Sequence, residues 1–352
     1  MMTKLLGILL IISVTTSIFS EETTPFRRYY DNGKPKILGF HLDKTGKQHG
    51  EWTYYDKNGR VLKVENYKDG VLDTNKVKRK VKLDTNKVKK KVNKVKIPKI
   101  EMVLIKAGTF MMGSSDTETD RDSSEGPQHQ VTITKDFYLG KYEVTQGQWE
   151  AVMGSWPHRN PSKRFGMSAS HPAYYISWND INCVDGFLDK LNGASGCDTS
   201  VLPTDTSIRY HPDNVPSGCY RLPTEAEWEY SVRAGTSTRF SYGDDEAYTQ
   251  LGDYAWYNSN SGNETHPGGQ KLSNPWGLYD MHGNVYEWVY DWYARYSTDS
   301  QNDPSGPTTG SARLIRGGSS RYVAKYQRSA ERDAPYPWIR NRHIGFRLVL
   351  VK

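Results

Sequence analysis

The chain has 352 residues, a mass of 40.2 kDa and a formal net charge of +7, and this length accommodates one large or two modest hydrophobic cores. Ten Trp, 24 Tyr and 9 Phe exclude a wholly disordered chain, and 3 Cys exclude a disulfide-rich scaffold. A mean hydropathy of −0.76, without a long apolar stretch after the N-terminus, excludes a bundle of membrane helices.

The first twenty residues have the layout of a secretory signal. Lys4 supplies the positive start, residues 5–19 form the apolar stretch, and Ser20 is a small residue before an acidic pair. Four Ser or Thr in the apolar stretch make a poor spanning helix, which favours cleavage near Ser20 over an uncleaved membrane anchor. We therefore expect residues 1–20 to be a signal peptide and the protein to be exported, as a periplasmic, cell-surface or secreted protein.

A degenerate repeat occupies residues 26–73. The string YYDNG at 29–33 recurs as YYDKNG at 54–59, with GKQHGEW between them. Aromatic residues followed by Asn-Gly turns are typical of β-hairpins, because such turns need residues that tolerate φ > 0. The pattern resembles MORN-type repeats, which implies a contact module; a purely structural addition is the alternative. Two such units predict a small open sheet of β-hairpins.

Residues 72–99 account for the basic charge of the chain. Two 11-residue repeats, LDTNKVKRKVK and LDTNKVKKKVN, are followed by KVKIPK, and together they contain 12 Lys or Arg and 2 Asp, a net of +10 that leaves −3 for the rest. We interpret residues 74–100 as a Lys-rich linker, either a solvated, self-repelling spacer or a tether to an anionic surface such as phospholipid headgroups. An exported chain is not expected to meet nucleic acid.

From residue 101 the sequence becomes aromatic and punctuated by glycine. MVLIKAGTFMMGS at 102–114 alternates like one strand that ends in a turn, and HQVTITKDFYLGKYEVT at 129–145 predicts two short strands. The remainder is rich in loops and short strands. The pattern predicts an α+β domain over residues 101–352.

Three helices are predicted from their capping patterns. The first begins after Thr145, the second near Ser177, and the third after Thr224, with Glu227 at the third helical position. Glu225, Glu227 and Glu229 in this third helix are better explained as helix architecture than as a catalytic carboxylate cluster. The second helix is expected to bury four apolar side chains: Val184, Phe187, Leu188 and Leu191.

The three cysteines have different expected roles. Cys197 and Cys219 bracket a loop rich in Ser, Thr and Asp, and in an exported chain we expect them to form a disulfide that closes it. Cys183 is then expected to be a buried thiol within the second helix.

Seven motifs follow one another along residues 107–349. They are AGTFMMGS, YEVTQGQW, SWNDI, YRLPTEAEWEYSVRAG, NPWGLYDMHGNVYEWVYDWY, RGGS and IGFRLV. Together they resemble the formylglycine-generating enzyme family, also called sulfatase-modifying factor. The resemblance implies an elaborated C-type-lectin-like fold.

The resemblance also implies which positions carry the family's chemistry. In active members two Cys follow the Gly-Gly-Ser turn by three and eight residues, bind copper, and include the thiol that links to the substrate cysteine. Here Ser319 keeps the family's active-site serine, but the two Cys positions hold Tyr322 and Gln327. A thiolate is both the soft metal ligand and the redox partner, so copper-dependent formylglycine generation is not expected. A divergent oxidoreductase acting on an exported protein or metabolite is the alternative.

The family also binds calcium, and the string DMHGNVYE at 280–287 matches one of its sites. The resemblance implies carboxylate ligands from Asp280 and Glu287 and backbone carbonyl ligands from Gly283 and Val285, a donor set that suits a hard cation. The alternative is that the two carboxylates only cap turns and satisfy buried backbone groups. The family's other calcium site begins with an Asn whose counterpart is Ala255, so it is not expected here.

The C-terminal segment offers a surface for binding. Tyr, Trp and Arg are enriched at binding hot spots, and packing over the last strands is the alternative use for them. The order RGGS…RSAER…IGFRLV also resembles the variable region of retroelement-diversified lectin-fold proteins. The sequence thus predicts a binding module for an exported protein or cell-surface ligand, or a component of a surface assembly. The candidate contact residues are Arg321, Tyr322, Tyr326, Tyr336, Trp338 and Arg340.

Overall fold

The structure is a computed structural model of the 352-residue chain. It describes the backbone of five N-terminal strands between residues 25 and 72, and residues 98–202 and 210–352. The predicted signal peptide and nearly all of the Lys-rich linker lie outside the described residues. The chain divides into two compact units, 1–86 and 87–352. None of the described helices has the length and apolar character needed to cross a bilayer.

The N-terminal unit contains one antiparallel sheet. Its strands pair in chain order, as a meander in which each strand neighbours the next. This sheet falls in the segment predicted to be MORN-like, and that identity stays a prediction. The strands are β1 (Pro25–Tyr29), β2 (Pro35–Phe40), β3 (Gly50–Tyr55), β4 (Val61–Lys68) and β5 (Val71–Leu72).

The strands of the larger unit are short and come from distant parts of the described chain. They are β6 (Met102–Ile105), β7 (Gly108–Met112), β8 (His129–Ile133), β9 (Phe137–Gly140), β10 (Tyr220–Arg221), β11 (Ala255–Trp256), β12 (His282–Gly283), β13 (Tyr286–Trp292), β14 (Gln301–Asn302), β15 (Arg313–Arg316), β16 (Arg332–Asp333), β17 (Ile344–Gly345) and β18 (Val349–Val351). They form sheets in the orders β10-β18-β9-β6, β16-β15-β13-β17, β14-β8-β7 and β11-β12.

The segment 102–114 forms two strands where the alternation predicted one. The chain leaves the first strand at Lys106, and the Ala107 amide donates to Asp136 Oδ1 at 2.9 Å. β6 therefore pairs with β9, while β7 pairs with β8 in a different sheet. The two strands predicted within 129–145 are confirmed as β8 and β9.

The helices begin where their caps predict. Thr145, Ser177 and Thr224 each form a capping box, in which the side chain accepts from the third helical amide and the third side chain returns the contact. The described helices are α1 (Gln146–Met153), α2 (Trp178–Asn182), α3 (Phe187–Ser195), α4 (Glu225–Arg233) and α5 (Leu251–Tyr254).

The segment predicted to form the second helix contains two helices, α2 and α3, so the prediction of one continuous helix was wrong. The chain turns between them, with Asp185 in the left-handed region at φ +61°. A Cβ on Gly186 would lie 2.7 to 3.0 Å from three carbonyl oxygens, so only glycine fits this turn. Val184, predicted to be buried, is 40% exposed, whereas Phe187 and the two leucines of α3 are buried.

The disulfide between Cys197 and Cys219 is confirmed, with Cα atoms 5.3 Å apart. It closes a loop that begins after α3 and ends at β10. Cys183 is not a residue within a helix but the C-cap of α2, and it is partly exposed rather than buried. Because α2 ends at Asn182, Cys183 lies in the turn between α2 and α3.

Two apolar clusters form the core of the larger unit. One joins α1, α2 and α3 to β13 through Trp149, Trp178 and Trp288, and the other joins α4 to the strands β7 to β9 around Trp228. Short strands and short helices are thus packed in one α+β unit, as predicted.

Every residue of α4 is buried, including three glutamates and Arg233. Glu229 accepts from Arg233 at 2.9 Å, from Arg316 at 2.8 Å and from the Gly113 amide at 2.8 Å. Glu225 accepts from Arg316 and, through both oxygens, from Arg332. These contacts tie α4 to β7, β15 and β16, which explains the glutamates as structural groups.

Glu229→Gln is expected to lower the free energy of unfolding by about 3–5 kcal/mol, because it leaves the buried guanidinium groups of Arg233 and Arg316 without their shared carboxylate. Urea unfolding of the full chain measures this change. Glu101→Gln is the matched control: Glu101 pairs with Lys99 at 3.4 Å on the surface, and its loss should cost less than about 1 kcal/mol. Equal losses for the two variants would contradict the structural role assigned to the network.

Candidate functional site

The turn that follows β15 leads to Ser319, Tyr322 and Gln327, the positions to which the motif resemblance assigned the family's chemistry. Gly317 and Gly318 are both left-handed, at φ +96° and +71°. A Cβ on Gly318 would lie 2.1 Å from Gln327 Oε1 and 2.4 Å from a backbone carbonyl oxygen. Glycine is therefore required where this turn packs on the 3-10 helix Ala324–Gln327, and the turn leaves Ser319 fully buried.

Gln327, at the second family cysteine position, holds this turn together. Its side chain is fully buried, and Nε2 donates to the carbonyl oxygens of Ser319, Tyr322 and Val323 at 3.2 to 3.3 Å. Its own backbone oxygen accepts from His282 Nδ1 at 2.8 Å. The side chain at this position therefore locks the loop and is closed to a ligand.

Tyr322, at the first family cysteine position, belongs to an aromatic cluster. Its ring centroid lies 5.3 Å from Tyr286, 5.5 Å from Tyr326 and 5.2 Å from His343, in each case edge to face or steeply tilted. Burial raises the pKa of Tyr322 and of Tyr286 above the usual range of a phenol. Both phenols therefore stay protonated at neutral pH.

His343 is a residue of this cluster that no sequence motif identified as a candidate. It is buried, and its Nδ1 has no hydrogen-bond partner. Burial, followed by the positive charges of Arg321 and Arg342, lowers the pKa of His343 to about 4. A neutral imidazole therefore faces the tyrosines. The only sequence signal was its place just before the IGFRLV motif.

The other candidate contact residues lie near the start of α2. Tyr336 and Trp338 stack with ring centroids 4.8 Å apart and planes within 2°, and they are 52% and 56% exposed. Arg340 forms a bidentate pair with Asp180 at 2.6 and 2.7 Å. The stacked rings are thus available to a partner, whereas the Arg340 guanidinium is already engaged.

The predicted calcium ligands lie in a buried region, where Glu287 is fully used. Its carboxylate accepts two hydrogen bonds from Arg347 at 2.6 Å and one from Trp228 Nε1 at 2.7 Å. Gly283 donates its amide to the Gly317 carbonyl. A guanidinium therefore neutralises the carboxylate that the sequence assigned to the metal, and Glu287 does not fit as a free ligand.

Asp280 retains an oxygen that suits a cation. Its Oδ2 accepts from the Gly269 amide at 2.7 Å, whereas its buried Oδ1 has no partner. Burial raises the pKa of Asp280 to about 6, and burial together with Asp280 raises that of Glu143, whose Oε1 also has no partner. Within residues 98–202 and 210–352, no three His, Cys, Asp or Glu side chains are arranged to hold a metal ion.

Comparison with known proteins supports the family expected from the motifs. Residues 87–352 match the family described as sulfatase-modifying factor enzyme 1-like domain. The formylglycine-generating enzyme of Mus musculus is 30% identical over 279 residues, which cover 70% of this chain and 74% of the relative. The chaperone protein LppX of Paenibacillus barcinonensis is 33% identical over 225 residues, covering 56% of this chain and 74% of the relative.

Two solved structures share the fold. Variable protein 1 of Treponema denticola superposes with a TM-score of 0.59 at 33% identity, covering 71% of this chain and 95% of its own. PvdO from Pseudomonas aeruginosa superposes with the same TM-score at 29% identity, covering 72% and 95%.

The stability of the protein is expected to fall as the pH is lowered from about 6.5 to about 4, because His343 has its folded pKa below its unfolded value. The unfolded chain then binds the extra proton, and the linkage amounts to at most about 3 kcal/mol. Urea unfolding across this range measures the loss. His343→Gln should lose less with pH, whereas His158→Gln, at an exposed histidine, should behave like the wild type. A His343→Gln profile parallel to that of the wild type would contradict the assignment.

Proposed function

We propose a function for this chain from one premise: it belongs to the family of the sulfatase-modifying factor enzyme 1-like domain. Within that family, it acts as an exported, calcium-stabilised module that binds a protein or another cell-surface ligand and does not generate formylglycine by copper chemistry. The observation that supports this proposal is the environment of the two side chains at the positions where the resemblance expects cysteine. The buried side chain of Gln327 donates to three carbonyl oxygens, and Tyr322 is packed among aromatic rings.

The binding face of this proposal contains the exposed aromatic side chains of the C-terminal segment. Tyr336 and Trp338 present a rigid stacked pair to solvent, and aromatic residues of this kind anchor interfaces. In the proposal the fold is an elaborated C-type-lectin-like one, preceded by MORN-like hairpins and a cleaved signal.

The alternative function is that of a divergent oxidoreductase acting on an exported protein or metabolite. It is favoured by the 30% identity to a formylglycine-generating enzyme. Without a thiolate at position 322 or 327, such an enzyme needs a different redox group. The two functions are separated by direct assay.

Calcium is proposed as a structural ion at Asp280, together with the backbone carbonyls of Gly283 and Val285. The support is the buried Oδ1 of Asp280, which lacks a donor, because a hard cation prefers such oxygens. Glu287 then anchors the segment through Arg347 rather than binding the ion itself. When bound, the ion would neutralise carboxylates that otherwise share a dry interior.

Capture of an envelope or secreted protein is expected for the full chain, and Tyr336→Ala with Trp338→Ala should reduce it at least about tenfold, as expected for the loss of hot-spot rings. Capture is measured at low and high salt, because only attachment through the Lys-rich linker should be lost with salt. Tyr293→Ala, at another exposed aromatic residue, is the matched control.

A second experiment separates the two functions: the wild-type chain is incubated with copper, oxygen and a peptide that contains Cys-x-Pro-x-Arg. Cysteine-to-formylglycine conversion would refute the proposal and support the oxidoreductase.

Calcium should raise the melting temperature of the wild-type chain, since an ion present at a hundred times its dissociation constant stabilises the folded state by about 2.7 kcal/mol. Asp280→Ala should remove this rise. Asp299→Ala, at an exposed aspartate, should retain it and serves as the control. A calcium effect of equal size in Asp280→Ala would place the ion elsewhere.

A further inference from the structure

A group of four arginine side chains lies beside the aromatic cluster around Tyr322. The group contains Arg159, Arg164, Arg321 and Arg342, and we call it the arginine cluster. Within the described part of the chain, none of the four has a carboxylate oxygen within the 4.0 Å of an ion pair. Four positive charges are therefore uncompensated on one face.

Aromatic rings hold three of these guanidinium groups in place. The Arg342 guanidinium lies 4.0 Å from the centroid of the Phe165 ring, and the Arg164 guanidinium lies 5.4 Å from the same centroid. The Arg159 guanidinium lies 5.5 Å from the Tyr175 ring. Two arginines thus share one ring, and a third is stacked on a neighbouring tyrosine.

Electrostatic interactions connect three members of the cluster, and Arg159 adjoins them through the Tyr175 ring. Arg342 interacts with Arg321, Tyr175 and Arg164, and Arg321 and Arg342 both act on His343. Burial, followed by the charge of Arg321, lowers the pKa of Arg342. Like charges brought this close repel each other, and an anion between them would remove that repulsion.

The backbone beside the cluster is strained. Tyr175 is buried and adopts φ +59°, the left-handed region that bulky residues rarely enter. Its amide donates to the Asn341 carbonyl at 2.9 Å, next to Arg342 in the chain. Strain of this kind persists where the surrounding structure imposes it, and here it fixes Tyr175 beside two of the arginines.

The described domain pairs most of its buried arginines, with Arg313 as an exception. Arg316, Arg332 and Arg347 each bind a glutamate at 2.6 to 2.7 Å, and outside residues 72–99 the chain has a net charge of −3. The arginine cluster is therefore not a consequence of a generally basic surface. Its members are exposed or half-buried and are accessible to a ligand from solution.

We propose that the arginine cluster binds the phosphate group of a soluble phosphomonoester. Neighbouring guanidinium groups suit a tetrahedral dianion with oxygens in several directions, whereas a carboxylate is satisfied by one guanidinium edge. The inference goes beyond the proposed function, because it assigns a ligand of stated chemistry to a set of residues other than Tyr336 and Trp338. The aromatic residues nearby then contact the organic part of the ligand.

The test uses the full chain and isothermal titration with glucose 6-phosphate and with inorganic phosphate, while glucose serves as the neutral probe. Wild type should bind both phosphate probes and not glucose. Arg342→Gln and Arg164→Gln should each weaken binding at least about tenfold, as expected for a charge-assisted contact. Arg342→Lys keeps the charge and should lose less than Arg342→Gln. Circular dichroism and thermal unfolding verify that each variant is folded.

Arg295→Gln is the matched control, since Arg295 is an exposed arginine lining a different cavity with His129 and Trp292, and it should leave phosphate affinity unchanged. The Lys-rich linker also attracts anions, but that contribution is the same in every variant. Equal affinity in wild type and both Gln variants would overturn the inference, and so would binding to anionic phospholipid vesicles without binding to soluble phosphate. If envelope capture through Tyr336 and Trp338 persists in either case, the phosphate inference fails and the proposed function stands.

Discussion

The buried ion-pair network of α4 is the constraint on which the larger unit depends. Glu225 and Glu229 each bind Arg316, and Arg316 is the last residue of β15, directly before the Gly-Gly turn. A buried guanidinium that loses its carboxylate partner is strongly destabilising, so the two glutamates hold the end of β15 in place through the two Nη atoms of Arg316. The position of every residue in the following loop is set by that end point.

The loop that follows this turn is held by side-chain packing at Tyr322 and Gln327. Where the family places thiols, this chain places an amide that donates to three carbonyls and a phenol within a cluster of rings. Both side chains therefore support the conformation of the loop. In the proposed binding function, a loop whose conformation is already fixed would lose little conformational entropy on binding.

The sequence predicted those features whose physical cause is local. A cap and its partner lie three residues apart, so Thr145, Ser177 and Thr224 could be identified as helix starts without any tertiary information. The break between α2 and α3 was missed because Val184 and Phe187 keep a helical spacing across a left-handed turn at Asp185. The pairing of Glu287 with Arg347 was missed for a different reason, since the two residues are 60 positions apart. The sequence does not show whether the partner of a carboxylate is a metal ion or a guanidinium.

The distribution of charge along the chain shows the same difference between local and long-range features. The net charge of the chain is dominated by the lysines of residues 72–99, which are adjacent in sequence and therefore visible. The arginine cluster draws its members from residues 159–164 and from residues 321–342, about 160 positions apart in the sequence, so no short window of sequence contains it. Only the fold places Arg164 and Arg342 against one phenylalanine ring. The basic isoelectric point of the chain reflects the linker. A specific anion site differs from a nonspecific one because a folded surface holds its hydrogen-bond donors in fixed positions.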